Sequence, residues 1–147
     1  MVQCKHYKIM IESGSTAKTP QSQPADSITL FDAVGGVATF ERLADNFYNR
    51  VGADSSLRPM YPADLAESKR TLALFLIQYW GGPTTYSQER GHPRLRMRHM
   101  PFAIGQTERD AWMRHMTAAV QDERFSPQIE EALLSYFDRV ATFMMNR

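Results

Sequence analysis

Glycines and prolines divide the chain from residue 29 onward into short segments, and within these segments apolar residues recur at helical spacing. The breaks fall at Gly35-Gly36, Pro59, Pro62, Gly81-Gly82-Pro83, Pro93, Pro101 and Ser126-Pro127. The segments between them predict main helices at about 37–52, 65–80, 107–122 and from 127 onward, with at most two helical turns at 94–100. No strand-like alternation exceeds four residues, so the sequence predicts an all-α domain with about four main helices.

Two of these helices begin with residues that are typical of helix caps. Thr107 and Asp110 resemble a capping box, with aspartate in place of the usual glutamate or glutamine. Ser126 is a common N-cap residue, and Pro127 is favoured at the first helical position. Residues 83–93 show no periodicity, so the sequence predicts a loop there.

The first part of the chain has a different composition. Within residues 13–27, only Ala17 and Ala25 are apolar. Such a segment cannot bury enough surface to offset the entropy that is lost when its backbone becomes ordered. The sequence therefore predicts a flexible N-terminal extension over residues 1–28 and one folded domain over residues 29–147.

The charge and the hydropathy of the chain exclude several classes of protein. Seventeen basic and sixteen acidic side chains leave a formal charge of +1. This near balance argues against a basic nucleic-acid-binding face and against a polybasic protein of the membrane surface. The longest apolar run, residues 72–77, has six residues, whereas a span of the bilayer needs ~20. No membrane insertion is therefore expected.

The chain contains a single cysteine, Cys4. An intrachain disulfide, a four-cysteine zinc site and covalent attachment of haem through two cysteines are therefore excluded. Lys5 and Lys8 are not followed by an apolar stretch, so no secretory signal is expected. The expected location is the reducing cytoplasm.

His99 is the histidine whose surroundings are most restrictive. It lies on the short helical segment between Pro93 and Pro101, four residues after Leu95, so the two side chains should point inward together. Another histidine, His115, fits a half-buried position in the core of its helix better than a ligand position.

The sequence around His99 argues against a zinc site. No second histidine lies three or four residues from it, and no carboxylate cluster accompanies it, whereas zinc needs three or four protein ligands. A single inward imidazole suits a haem, which supplies four porphyrin nitrogens of its own and leaves a sixth position open. A core histidine without a ligand has the same spacing and is the more common case, so spacing alone does not establish a haem site.

Longer stretches of the chain resemble a known family, the group II (O-type) truncated haemoglobins. The similarity runs from Phe31 to about Asn146. It is carried by residues 31–36 (FDAVGG), 57–62 (LRPMYP), 75–83 (FLIQYWGGP) and 90–102 (RGHPRLRMRHMPF), followed ten positions later by Trp112. The block at 90–102 together with Trp112 is the most specific part of the match.

The resemblance implies a truncated globin fold, a two-over-two helical sandwich around a non-covalent haem b. The helices with Tyr48 and Leu72 would form one pair, and those with Trp112 and Phe137 the other. By resemblance, His99 is the proximal ligand of the iron, and Tyr48, Tyr61 and Trp112 are the polar distal residues. The other residues expected at the haem are Phe47, Ser68, Leu72, Phe75, Leu76, Tyr79, His92, Met97, Arg98, Phe102 and Ile104.

The resemblance also implies a function. A pentacoordinate iron beside hydrogen-bond donors would bind O2, and also CO and NO, and would retain O2 rather than release it quickly. An alternative is an enzyme, either an NO dioxygenase or a peroxidase-like oxidoreductase acting on peroxide, which would need a reductase that the sequence does not name. A third hypothesis is a helical interaction domain in which His99 is structural. A homodimer is left open.

Overall fold

The computed structural model describes residues 27–147, so nearly all of the predicted extension at 1–28 lies outside the described residues. Within this range the chain forms helices and no strands. The elements are α1 (Leu30–Ala33), α2 (Val37–Gly52), a 3₁₀ turn (Arg58–Met60), α3 (Ala66–Tyr79), α4 (Thr85–Arg90), α5 (Leu95–His99), α6 (Gln106–Asp122) and α7 (Pro127–Phe143). The all-α prediction and the four main helices are confirmed.

The main helices pack in two pairs. Helix α2 lies against α3, helix α6 lies against α7, and the pairs meet through α2 and α6. This is the two-over-two arrangement expected for a truncated globin. The fully buried side chains at the centre are Phe40, Leu43, Phe47, Val51, Leu76, Met116, Val120, Leu133 and Phe137. None of the helices within residues 27–147 is both long and apolar enough to cross a membrane.

The double glycine after α3 allows α1 to pack closely on the end of that helix. The Phe31 backbone N–H donates to the Trp80 carbonyl at 3.0 Å. A Cβ at Gly82 would lie 2.8 Å from the Phe31 ring and 2.7 Å from Ile77, and Gly81 has a φ of +106°. A larger residue at either position would therefore clash or strain the backbone.

Helix α4 forms where the sequence predicts a loop, and this prediction is wrong. Tyr86 is the only buried residue of its six, so the segment carries no periodic signal. Hydrogen bonds from a neighbouring helix stabilise it instead. The Gln78 side chain on α3 donates to the Ser87 hydroxyl at 2.7 Å and accepts from the Ser87 backbone N–H at 2.9 Å.

The start of α6 also differs from the prediction, whereas the start of α7 does not. Gly105 rather than Thr107 is the N-cap of α6, because the Glu108 carboxylate reaches back and accepts from the Gly105 N–H at 2.9 Å. At α7, the Ser126 hydroxyl accepts from the Ile129 N–H and Pro127 is the first helical residue, as predicted.

Candidate cofactor site

A cavity of about 420 Å³ lies between the two helix pairs and α5. This volume is within the range of about 300–1,000 Å³ that is typical of small-molecule and cofactor sites. Its walls are mostly apolar and aromatic, with a few polar side chains. The structure brings together here most of the residues predicted at the haem: Phe47, Tyr48, Tyr61, Ser68, Leu72, Phe75, Leu76, Arg98, His99, Phe102, Ile104 and Trp112.

Three of the residues predicted at the haem lie outside the lining of this cavity. Met97 is 57% exposed, because on the five residues of α5 it faces away from the side that Leu95 and His99 share. Tyr79 ends α3 and stacks on Tyr136, with ring centroids 4.1 Å apart. His92 lies in an exposed turn, where its Nδ1 accepts from the Arg94 backbone N–H at 3.2 Å.

Sequence reasoning missed several residues of the cavity wall. Tyr86 comes from the unpredicted helix α4, and its ring packs 5.5 Å from that of Phe75. One side of α7 also faces the cavity, through Phe137, Val140, Ala141 and Met144. These four residues recur at helical spacing, which predicts an apolar core stripe. An apolar stripe has the same spacing whether it packs on side chains or on a cofactor.

The backbone of α5 fixes the orientation of the His99 imidazole. Its Nδ1 lies 2.6 Å from the Leu95 carbonyl oxygen. A carbonyl can only accept, so Nδ1 carries the hydrogen and donates it, and the lone pair is on Nε2. The contact therefore sets both the tautomer and the direction of the free nitrogen in a side chain that lines the cavity, as second-sphere contacts do for metal-bound histidines.

The end of the chain supports the segment around His99. The Asn146 amide accepts from the Ile104 N–H at 3.0 Å and donates to the Phe102 carbonyl at 2.8 Å and to the His99 carbonyl at 3.4 Å. Arg96 donates to the carbonyl of Phe143 and lies over its ring. These contacts tie α5 and the loop after it to the C-terminal end of α7.

We expect Asn146→Ala to loosen the His99 side of the cavity. The change leaves the Ile104 N–H and the Phe102 carbonyl without their partner, which should cost about 1–3 kcal/mol of unfolding free energy. The free energy is measured by urea denaturation, and the rate of haem loss by transfer to an acceptor protein.

Asn49→Ala is a suitable control for this substitution, because Asn49 is exposed and its side chain bonds to Asp45 and Lys69 on the surface. It should leave both quantities close to those of the unchanged protein. If Asn146→Ala lowers the free energy of unfolding no more than Asn49→Ala does, the Asn146 side chain does not hold the segment around His99.

A cluster of aromatic side chains forms the opposite wall of the cavity. The Tyr48 and Tyr61 rings meet edge to face with centroids 5.5 Å apart, and Phe47 lies 5.1 Å from Trp112. Trp112 also packs on Phe137 at 5.8 Å. The two hydroxyls and the indole N–H are thereby gathered in one apolar region.

The two phenols of this cluster are held in their neutral form. Burial raises the pKa of Tyr48 well above its usual range, and the neighbouring Tyr61 adds to the effect. Burial also raises the pKa of Tyr61 to about 12, with a hydrogen bond from Trp112 opposing the rise. The Tyr48 side chain lines the cavity, so its hydroxyl can donate to a molecule there.

Arginines surround the mouth of the cavity. Arg98 donates to the backbone carbonyls of Pro93 and Arg90 and lines the cavity together with Arg90. Arg90 lies 3.5 Å from the Thr71 hydroxyl and 3.4 Å from Glu67. Arg70, in contrast, forms two hydrogen bonds with the Glu89 carboxylate and is absent from the lining.

These residues fit a haem better than a bare metal ion. In the described part of the chain, no three His, Cys, Asp or Glu side chains are placed to hold a metal. A metal bound by His99 must therefore bring its other ligands, as the iron of a haem does. The apolar walls suit a porphyrin ring, and the arginines at the mouth suit its carboxylates.

Comparisons with known proteins agree with this geometry. The family model for the bacterial-like globins matches residues 29–146. The group 2 truncated hemoglobin YjbI of Bacillus subtilis is 38% identical over 117 residues, which cover 80% of this chain and 88% of that protein.

Two solved structures extend the comparison. The hemoglobin of Chloroflexus aurantiacus is 52% identical and superposes with a TM-score of 0.80, covering 82% of this chain and 99% of that one. The truncated oxygen-avid haemoglobin of Bacillus subtilis is 38% identical with a TM-score of 0.77, covering 81% and 100%.

The fold and the match over nearly all described residues define the class of protein, a globin of the truncated type. The chain belongs to the bacterial-like globin family and, within it, to the group II truncated haemoglobins. Globins of this family hold a haem iron non-covalently and bind small gaseous ligands such as O2.

Proposed function

We propose that this globin retains O2 strongly, with His99 as the ligand of the haem iron and with Tyr48, Tyr61 and Trp112 as donors to the gas. A bound haem supplies an iron with one open position at which O2, CO or NO binds. The His99 Nε2 would hold the iron from one side, since its Nδ1 is engaged by the Leu95 carbonyl. Arg98 and Arg90 would pair with the haem carboxylates at the mouth.

Three neutral hydrogen-bond donors lie together in one apolar wall of the cavity, and this observation supports the retention of O2. O2 at a ferrous iron draws electron density outward and accepts hydrogen bonds well, whereas CO accepts them poorly. Two charge-assisted hydrogen bonds of about 1.5–3 kcal/mol each would slow O2 release by roughly 10²–10⁴-fold. Release at such a rate does not suit oxygen transport. The 38% identical Bacillus subtilis relative is itself described as oxygen-avid.

Retention of O2 also favours a second candidate function, the oxidation of NO. A retained O2 can combine with NO and one electron to give nitrate, and the same pocket admits both small molecules. The electron would come from the ferrous iron, which would become ferric. A reductase in the cytoplasm would then have to return the iron to the ferrous state. Peroxide is a further substrate for the same site, with the same need for a reductant.

Replacing Tyr48 with phenylalanine tests the proposed retention. The variant keeps the ring that packs on Phe47 and Tyr61 and loses only the hydroxyl. We expect O2 release to become about threefold faster and CO release to change less than twofold, because the other donors still bond to O2. The measurement is rapid-mixing dissociation of both gases from the haem-loaded protein.

Tyr86→Phe is the matched control for this experiment. Tyr86 is buried and lines the same cavity, but its ring contacts Phe75 rather than the cluster around Tyr48. It should leave both release rates unchanged. Equal acceleration of both gases by Tyr48→Phe would indicate a wider pocket rather than a lost hydrogen bond. Nitrate formation from NO, measured on the O2-loaded protein, tests the second candidate.

A further inference from the structure

One hydrogen-bonded pair of partly buried side chains outside the cavity, Asp54 and His115, connects the turn before Tyr61 to the helix that carries Trp112. The Asp54 carboxylate accepts from the His115 Nε2 at 2.5 Å and from Arg114 at 3.2 Å. The side chains of His115 and Asp54 are only 16% and 11% exposed. Asp54 follows α2 and His115 lies on α6, so the pair joins two helices that are distant in the sequence. Neither residue lines the cavity.

The other oxygen of Asp54 organises the turn that leads to Tyr61. It accepts from the Ser56 hydroxyl at 2.6 Å, from the Ser56 N–H at 2.8 Å and from the Leu57 N–H at 3.4 Å. One carboxylate therefore holds α6 with one oxygen and the turn with the other. Because both oxygens are engaged, movement of His115 would displace the turn.

Arg58 continues this connection as far as Tyr61. Its backbone N–H donates to the Asp54 carbonyl at 2.8 Å. Its guanidinium donates to the carbonyls of Tyr61 at 3.2 Å, Pro62 at 2.9 Å and Ala63 at 2.8 Å. The backbone that presents the Tyr61 ring is thus fixed to the same turn that Asp54 holds.

The same pair of Asp54 and His115 is also close to Trp112 along the chain. His115 follows Trp112 by three residues on α6, so their side chains lie on neighbouring positions of one helix face. The Trp112 and Tyr61 side chains both line the cavity and belong to the aromatic cluster of its wall. Trp112 is therefore connected to His115 through helix α6, and Tyr61 is connected to Asp54 through the turn. The Asp54–His115 hydrogen bond links the two connections.

We propose that Asp54 and His115 are positioning residues for the distal hydrogen bonds. Their contact sets how far the Trp112 indole lies from the Tyr61 hydroxyl, and so how well both can donate to a gas in the cavity. This inference rests on the proposed function of the cluster. It adds that retention depends on a hydrogen bond between two residues that do not line the cavity.

The test compares two substitutions of His115 in the haem-loaded full chain. His115→Leu removes the donor, whereas His115→Gln keeps an N–H that can reach Asp54. The readouts are the C–O stretching band of the CO form, which reports hydrogen bonding near the ligand, and the rate of O2 release. We expect His115→Leu to shift the band and to speed O2 release at least threefold. His115→Gln should restore both readouts towards those of the unchanged protein.

Asp122→Asn is the matched control. Asp122 accepts from Arg50 at 2.7 Å and from Asn46 at 2.9 Å, so it also joins α6 to α2. It lies ten residues after Trp112, about 15 Å along the helix. Its loss should leave the C–O band and O2 release unchanged, even if the melting temperature falls. If it alters the band as His115→Leu does, the role of His115 is only structural.

Two further results would overturn the proposal. Equal effects of His115→Leu and His115→Gln would assign the role to packing rather than to the hydrogen bond. A wild-type band and rate in His115→Leu, together with faster O2 release in Trp112→Phe, would overturn the positioning role and leave the proposed function intact. If His115→Leu does not fold, Asp54→Asn takes its place, because the amide keeps an oxygen for the turn but removes the charge facing His115.

Discussion

We expect His99→Gly to lose its haem, the largest effect predicted for any single substitution in this chain. Among residues 27–147, His99 is the only histidine in the lining of the cavity, and its Nε2 is the nitrogen with a free lone pair. Without His99, the iron of a bound haem would have no histidine ligand on this side of the cavity. Haem binding should weaken at least a hundredfold, equivalent to about 2.7 kcal/mol. The measurement is haem titration followed by visible spectroscopy.

Added imidazole provides a direct check on the reason for this loss. Glycine leaves a space in which free imidazole can occupy the place of the side chain, so millimolar imidazole should restore the haem band. His92→Gly is the control, because His92 lies in an exposed turn outside the cavity lining. An unchanged iron–imidazole Raman band in His99→Gly would show that another residue ligates the iron.

The sequence was sufficient to predict the main helices because its local signals agree. Glycines and prolines mark their ends, and apolar residues repeat every three or four positions between them. Helix α4 was not predictable in this way. Its six residues bury only Tyr86, and the groups that hold Ser87 come from Gln78 on another helix. A helix that depends on a tertiary partner leaves no periodic pattern of its own.

The candidate site was predictable only in part, for a similar reason. Proline spacing and the i, i+4 relation to Leu95 marked His99 as the most restricted histidine, but only the resemblance to a family assigned it to the iron. The structure adds the direction of its free nitrogen, which depends on a backbone carbonyl. The pair of Asp54 and His115 lies 61 positions apart in the sequence. No pattern in a single chain pairs two such residues, so the connection to Tyr61 emerges only from the fold.

The second large effect is expected from Trp112→Phe, which should speed O2 release at least tenfold, equivalent to about 1.4 kcal/mol or more. An indole N–H can donate but cannot accept, so it cannot exchange roles as a tyrosine hydroxyl can. Trp112 lies on the 17-residue helix α6, which fixes its direction better than the turn fixes Tyr61. Phenylalanine keeps an aromatic ring, of smaller volume, against Phe47 and Phe137 and removes the donor.

The comparison with CO and with the second tryptophan identifies the cause of such an acceleration. CO release should change less than O2 release, because CO is the weaker acceptor. Trp80→Phe is the control, since Trp80 is buried in the core and lies outside the cavity lining; it should leave both rates unchanged. Equal acceleration of both gases by Trp112→Phe would mean that the pocket has opened. Unchanged O2 release would transfer the main donor role to Tyr48 or Tyr61, because these hydroxyls are the other neutral donors of the cluster.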